Sequence, residues 1–404
     1  MRIVFLISVF GAFLGSNFNG EDFIPAAIKA GAIAAVARPK AHVVGAIHIA
    51  TGEPRQTFAH LAAAFFSPVP KNLMAVTGTN GKTSCVEMTR QIWHICGERS
   101  ASIGTLGVTT SDESLSTGLT TPDIVTFLSN LNGLAREGVS HVAFEASSHG
   151  LDQFRSDGLP LAAAAFTNFS RDHLDYHGSI DAYFEAKMRL FEQVLEPSSS
   201  AIFWRANPDD KWINTAIQRS EACSLKVLTV GPEGNFIKLL STEFSHMGQI
   251  LKIEHNGIKK IITLPLMGTY QGSNALIACS LAIVSGLDPD KVFDAASRIQ
   301  PVKGRLERAV VTGRGAAIYV DYAHTPAAVE EVLTALRPHV AGKLITVLGA
   351  GGDRDKGKRF SMGEAALKGS DIVIVTDDNP RGENPSAIRA SVLEGARGAI
   401  EIGD

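Results

Sequence analysis

The segment Val76-Thr77-Gly78-Thr79-Asn80-Gly81-Lys82-Thr83-Ser84 constrains the fold more than any other stretch of the chain. It follows a short apolar run, residues 73–76, and precedes a helical pattern from about 83 to 96. A strand, a glycine-rich turn and a helix in that order turn backbone N–H groups inward at a helix N-terminus, where they cradle phosphate oxygens. In that arrangement Lys82 reaches the β- and γ-phosphates of a nucleotide, and the Thr83 hydroxyl ligates Mg²⁺. The cradle is therefore assigned to Gly78, Thr79, Asn80, Gly81, Lys82, Thr83 and Ser84. The general phosphate-loop pattern asks for glycine five places before Gly81. Val76 stands there, so the loop is a variant form.

Around this loop the chain alternates strands and helices. Apolar runs at 141–144 and 162–166 read as buried strands, and the alternation implies a mainly parallel sheet. With 404 residues the chain exceeds one ordinary core, so two or three domains are expected. Proline breaks at Ser67-Pro68-Val69-Pro70 and at Gln300-Pro301 suggest domains over 1–69, 70–300 and 301–404. Beyond 300, runs at 317–320, 344–348 and 372–375 read as strands of a second α/β unit with Rossmann-like order, incomplete where the sequence stops.

At the other end, Arg2 precedes an apolar run, residues 3–14, that imitates a signal peptide but is too short to span a bilayer. A buried strand over 3–9 is the expected reading. Next, Phe23, Ala26, Ala27 and Ala30 share a helical face ended by Gly31, and 32–37 is an apolar strand. A formal net charge of −3 excludes a basic nucleic-acid surface. Cys85, Cys96, Cys223 and Cys279 are scattered without a C-x-x-C pair, which suits the reducing cytoplasm. No membrane partner is expected, and the chain is expected to be a monomer.

The form T-G-T-N-G-K-T is typical of the Mur ligase and folylpolyglutamate synthetase superfamily. Further segments resemble the MurE-type branch of the Mur ligase family. They are Thr120-Thr121-Pro122, the run from Glu145 to Gln153 (E-A-S-S-H-G-L-D-Q), the run from Thr167 to His177 (T-N-F-S-R-D-H-L-D-Y-H) and Tyr183-Phe184-Glu185-Ala186-Lys187. The resemblance runs from about Gly20 to Pro385. It implies a three-domain α/β architecture, with a central phosphate-loop ATPase domain on a parallel sheet and a C-terminal Rossmann-like domain. It also implies ATP and two Mg²⁺ ions, with Thr83, Glu145, His173 and Lys187 at the metals and Lys82, His173 and Lys187 as the catalytic set. Oxygen donors suit the hard cation. A lysine ammonium does not, and in the family the lysine at the place of Lys187 carries a carbamate, which turns it into an anionic oxygen ligand. Asn168 joins the nucleotide contacts, and Thr120, Thr121, Ser147, Gln153 and Arg155 match the contacts to a UDP-muramoyl dipeptide.

His173-x-x-x-His177 also has helical metal-ligand spacing. A zinc site would need further His or Cys ligands nearby, and no H-E-x-x-H or cysteine set accompanies it.

In the C-terminal part, Lys303-Gly304-Arg305-Leu306-Glu307 and Asp321-Tyr322-Ala323-His324-Thr325-Pro326 resemble the family's linker and nucleotide motifs. Arg305 and Asp321 are the residues implied. The family's C-terminal domain rotates onto the central one, which would exclude water from a reactive intermediate. Arg354, in a Gly351-Gly352-Asp353-Arg354 run, and Asp378-Asn379-Pro380-Arg381 bear on the amino-acid substrate. The D-N-P-R form resembles that of ligases adding meso-diaminopimelate, whose distal carboxylate a guanidinium fork pairs bidentately.

The reaction implied is transfer of the ATP γ-phosphoryl to the D-glutamate carboxylate of UDP-MurNAc-L-Ala-D-Glu, then attack on the acyl-phosphate by the diaminopimelate amine. This is a cytoplasmic step of peptidoglycan synthesis. Two departures stand out. The sequence lacks an Asp-Ser-Arg-type segment ahead of its first strand, and it stops before a Gly and Glu that hold the far end of diaminopimelate in relatives. Weak or absent ligation by the 404-residue chain is therefore the expectation. The alternatives are a folylpolyglutamate synthetase-like ligase and a non-catalytic nucleotide-binding remnant. A motor-type ATPase fits less well, because no apolar strand ends in an Asp-Glu pair.

Overall fold

The structure, a computed structural model, describes residues 8–15, 18–111, 113–115, 120–245, 248–353 and 355–403. They form two compact units: 1–229 with 281–287, and 230–280 with 288–404.

The first unit is built on parallel strands. In sheet order these are Lys226–Gly231, Ser200–Trp204, Ala163–Phe166, Asn72–Thr77, His141–Glu145 and Ser100–Gly104, followed by the antiparallel Gly107–Thr109 and Ser114–Leu115. Asn72–Thr77 lies in the middle, paired on both sides, and Leu73, Met74, Ala75 and Val76 are fully buried. That is why its sequence is a continuous apolar run and not an alternation. Phe127, Phe144, Phe166, Phe191 and Phe203 fill the surrounding core. Truncating one such ring to alanine costs about 3–5 kcal/mol.

At the N-terminal end a small parallel sheet joins Ser8–Gly11, Ala32–Ala37 and Ile47–Ala50 around its own core of Ala12, Ile24, Ala35 and Ala37. The strand expected over 3–9 begins at Ser8; residues 1–7, with Arg2, lie outside the described residues. The helix is Ile24–Lys29, preceded by a 3₁₀ turn, and its register corrects the expected face. Ile24 is buried and Ile28 packs against the same core, whereas Phe23 and Ala26 are exposed. A larger, β-branched face, Ile24 and Ile28, was available one residue away, and it takes the core in place of the alanines. Residues on both sides of Pro68–Pro70 fall within the first unit. Ala62 of the helix Pro54–Phe65 joins the main core, and Gln56 Nε2 donates to Asp157 at 3.1 Å.

The second unit holds an antiparallel meander, Ile237–Ser245, Gly248–His255 and Ile258–Leu264. Its C-terminal part has three parallel strands, Ile345–Leu348, Ile372–Val375 and Ile400–Glu401. The helices Pro326–Leu336, Lys358–Gly369 and Pro385–Leu393 supply Leu333, Met362 and Val392 to a core with Val373 and Val375. The run 317–320, read as another strand of a Rossmann-like order, pairs antiparallel with Glu307–Val311 in a separate two-stranded sheet. Gly315, at φ +83° in the short connection, lets the hairpin close. Among the described residues no helix is long and apolar enough to cross a membrane.

Candidate functional site

The loop that follows Asn72–Thr77 is built on left-handed glycines: Gly78 has φ +140° and Gly81, the cap of helix Lys82–Ile95, φ +85°. Side chains would strain both positions. A second segment clamps the loop from outside. Thr79 N donates to Asn168 O at 2.9 Å, Asn80 N to Asn168 Oδ1 at 2.9 Å, and Thr167 Oγ1 to Asn80 O at 2.5 Å. Thr79 Oγ1 donates to Ser170 O and accepts from Ser170 N. The Tyr183 hydroxyl reaches the same Thr79 oxygen at 3.3 Å. Thr83 and Ser84 are buried in the first helical turn.

Two lysine amines meet at this loop. Lys82 Nζ donates to Gly78 O and Thr79 O at 3.0 and 2.7 Å, and Lys187 Nζ donates to the same Gly78 O at 2.7 Å. Lys187, on helix Ile180–Arg189, is almost completely buried, with its amine 4.4 Å from the Tyr183 ring centre. Burial and the neighbouring Lys82 charge hold its pKa well below the ordinary lysine range, with Asp172 opposing them. A neutral buried amine is the form that adds CO₂, so Lys187 fits the carbamate chemistry that the family implies.

His173 stands at φ +51° ahead of the short helix Leu174–His177. Its ring lies 5.0 Å from His149 and 5.9 Å from Tyr183. Partial burial lowers its pKa, as do the Lys82 and Lys187 charges, against Asp172. Among the described residues no three His, Cys, Asp or Glu side chains form a metal cage.

Glu145 ends the strand beside the loop strand, opposite Val76 in register. It is 2% exposed, and the one side-chain hydrogen bond it accepts among the described residues comes from Thr105 N at 2.7 Å. Burial pushes up the thiol of Cys85, on the adjoining helix, and the Glu145 charge adds to it. A buried carboxylate with a single neutral donor is costly unless a cation compensates it. An oxygen-seeking Mg²⁺ shared with phosphate fits that need.

The expected acceptor contacts gather at the same strand end. Thr121 Oγ1 donates to Glu145 O at 2.8 Å and lies 3.0 Å from Ser147 Oγ. Ser147 also caps helix Ser148–Asp152 by accepting from Gly150 N. Arg155 Nη1 donates to Thr121 O, and Arg155 Nη2 to Gln153 Oε1 at 2.7 Å. Thr120 Oγ1 lies 3.2 Å from Thr105 Oγ1. Thr105, Thr167, Ser170 and Tyr183 were not singled out as site residues. The hairpin Gly104-Thr105-Leu106-Gly107 was the available signal for the first, and position next to Asn168 for the second.

In the second unit the Asp321 oxygens accept from Leu306 N and Ala323 N, both at 2.8 Å, and burial raises the carboxyl pKa. Arg305 lies 5.0 Å from the Tyr322 ring centre. The two loops expected to recognise the amino acid are stitched together. Arg381 Nη1 donates to Gly352 O at 2.6 Å, Gly352 N to Asn379 O at 2.9 Å, and Gly382 N to Asp353 Oδ2 at 2.9 Å. Arg359 and the Asp353 amide hold Glu383 down to about 2. Asp378, Asn379 and Arg381 are exposed, with Pro380 between them half-buried. Arg354 lies outside the described residues.

Against known proteins, the Mur ligase middle domain matches residues 76–282, and the Mur ligase, glutamate ligase domain matches 304–403. The chain is 52% identical over 395 residues to the UDP-N-acetylmuramoyl-L-alanyl-D-glutamate--2,6-diaminopimelate ligase of Zymomonas mobilis, covering 98% of this chain and 81% of that one. The enzyme of the same name from Bradyrhizobium diazoefficiens is 45% identical over 407 residues, covering 100% and 83%. A solved structure of a ligase of that name superposes with TM-score 0.74 at 32% identity over 95% of this chain and 79% of that one. The folylpolyglutamate synthase of Mycobacterium tuberculosis, complexed with ADP, superposes with TM-score 0.67 at 19% identity over 86% of this chain and 84% of that one. That likeness is one of fold.

Proposed function

From the premise that this chain belongs to the Mur ligase family, we propose that it joins 2,6-diaminopimelate to UDP-N-acetylmuramoyl-L-alanyl-D-glutamate with cleavage of ATP to ADP and phosphate. The observation that carries the site reading is the buried, singly bonded Glu145 beside a phosphate loop that already gathers Lys82 and Lys187. In this reading the loop amides and Lys82 hold the nucleotide phosphates, Lys82 turning from Gly78 O and Thr79 O to the ligand. Thr83 and Glu145 would hold one Mg²⁺, and His173 with a carbamylated Lys187 would hold a second. Bound Mg²⁺ supplies charge neutralisation on the phosphate oxygens. Thr120, Thr121, Ser147, Gln153 and Arg155 orient the acceptor so that its D-glutamate carboxylate attacks the γ-phosphorus and ADP departs. The diaminopimelate amine then attacks the acyl carbon, releasing phosphate and a proton and forming the amide.

The exposed Arg381 guanidinium is assigned to the distal carboxylate of diaminopimelate, with Arg354, Asp378, Asn379 and Pro380 in the same pair of loops. None of the four cysteines forms a disulfide, which suits the reducing cytoplasm we assign as the compartment.

ADP release tests this reading. It should require the UDP-muramoyl dipeptide, and diaminopimelate should exceed lysine as the second substrate. Release driven by a reduced folate and glutamate, or indifferent to the acceptor, would overturn it.

A further inference from the structure

The tight turn Gly104-Thr105 touches both halves of the site, Glu145 on one side and Thr120 on the other. A Cβ on Gly104 would stand 2.2 Å from Glu145 Oε1 and 2.7 Å from its Cδ, so glycine is what lets the carboxylate lie against the end of strand Ser100–Gly104. The next residue pins that same oxygen, with Thr105 N donating to Glu145 Oε1 at 2.7 Å. One carboxylate oxygen is thereby fixed to backbone, and the other accepts no hydrogen bond among the described residues. The exposed Thr105 side chain continues the connection outward, its hydroxyl 3.2 Å from that of Thr120. Backbone, carboxylate and acceptor-side hydroxyl thus form one short chain of contacts.

The geometry points to Gly104 and Thr105 as positioning residues: Gly104 with the Thr105 amide aims the Glu145 carboxylate at Mg²⁺, and the Thr105 hydroxyl orients Thr120 toward the acceptor. This rests on the reading of Glu145 as a metal ligand. Groups that orient a metal ligand typically change metal affinity 10- to 100-fold when altered. Thr105→Val keeps the amide and removes the hydroxyl, so the two roles separate.

The test uses the full chain with Mn²⁺ as the probe, titrated by electron paramagnetic resonance in the presence of a non-hydrolysable ATP analogue. Gly104→Ala is expected to weaken Mn²⁺ binding at least about tenfold, with metal-free nucleotide affinity and thermal unfolding unchanged. Thr105→Val is expected to leave Mn²⁺ affinity in place and to raise KM for the UDP-muramoyl dipeptide several-fold, and Thr105→Ser to restore it. Should Gly104→Ala not fold, the unaltered chain decides: exchange of the Thr105 amide should slow when Mn²⁺ and the analogue are added, and an unchanged rate overturns the positioning role. Equal Mn²⁺ affinities in Gly104→Ala and the unaltered chain overturn it too. No Mn²⁺ binding by the unaltered chain would instead sink the metal-site reading beneath it.

Discussion

Replacing Gly78 by alanine tests how the phosphate loop is held. The new Cβ would lie 1.9 Å from Thr167 Oγ1, far inside contact distance. To clear it, the hydroxyl must leave its bonds to Asn80 O at 2.5 Å and Thr77 O at 3.3 Å. The hydroxyl has one proton to share between those two carbonyls, so the contact is worth roughly 1 kcal/mol. The φ of +140° adds strain for a residue with a side chain, about 1–3 kcal/mol. The loop therefore loses roughly 2–4 kcal/mol of its ordering. If that falls on the nucleotide-binding conformation, ADP affinity drops at least about 30-fold. Thr167→Ala alone should cost about 1 kcal/mol, since it deletes the same shared bond. Added to Gly78→Ala it should cost almost nothing more, giving a coupling of roughly 1 kcal/mol in the double-mutant cycle. Calorimetric titration of ADP into the four proteins measures all the terms. Unchanged affinity in Gly78→Ala, or simple additivity of the two changes, would refute the clamp.

Three other outcomes are expected. Arg381→Lys should raise KM for diaminopimelate about 10- to 100-fold by losing a bidentate fork, while ADP affinity measured by titration stays the same. The buried Lys187 amine is lowered from the ordinary value of 10.5, so the unfolded chain binds the extra proton and folding stability rises with pH between the lowered value and 10.5. Lys187→Met in CO₂-free buffer should therefore be more stable than the unaltered chain near neutrality, with denaturant midpoints converging toward pH 10.5. Glu383, held at about 2 against an ordinary 4.5, has the same slope in a lower window, but as a lowered carboxylate it stabilises the fold where it is ionised. Its contribution is complete above 4.5 and lost as pH falls through about 2, so proteolysis of the 351–383 loops should show less acid sensitivity in that window in Glu383→Gln.

The parts legible in the sequence were those set by local pattern. The run 73–76, the glycines and Lys82-Thr83 announce strand, loop and helix within a dozen residues, and the structure has Asn72–Thr77 followed by Lys82–Ile95. Buried parallel strands such as Ala163–Phe166 were equally plain, because both faces are apolar. What lacked such a pattern, or depended on distant partners, was not. The meander over 237–264 pairs neighbouring strands, Ser245 with Gly248 and His255 with Ile258, but its mixed polar strands lack the apolar run that marks the central ones. Ile24 displaced the expected alanine face through its contact with the small core beside Ala35. Thr105 looks like any turn threonine until Glu145, forty positions later, is brought to its amide. Thr167 is ordinary until the Gly78 turn lies against it.

The central claim is that the loop around Gly81 presents a terminal phosphate to an acceptor carboxylate. Incubating the chain with ATP, diaminopimelate and UDP-muramoyl dipeptide labelled with ¹⁸O in the D-glutamate carboxylate tests it most directly. Released phosphate should carry one ¹⁸O atom, read by mass spectrometry. Phosphate without label, or no phosphate release that depends on the acceptor, would contradict it.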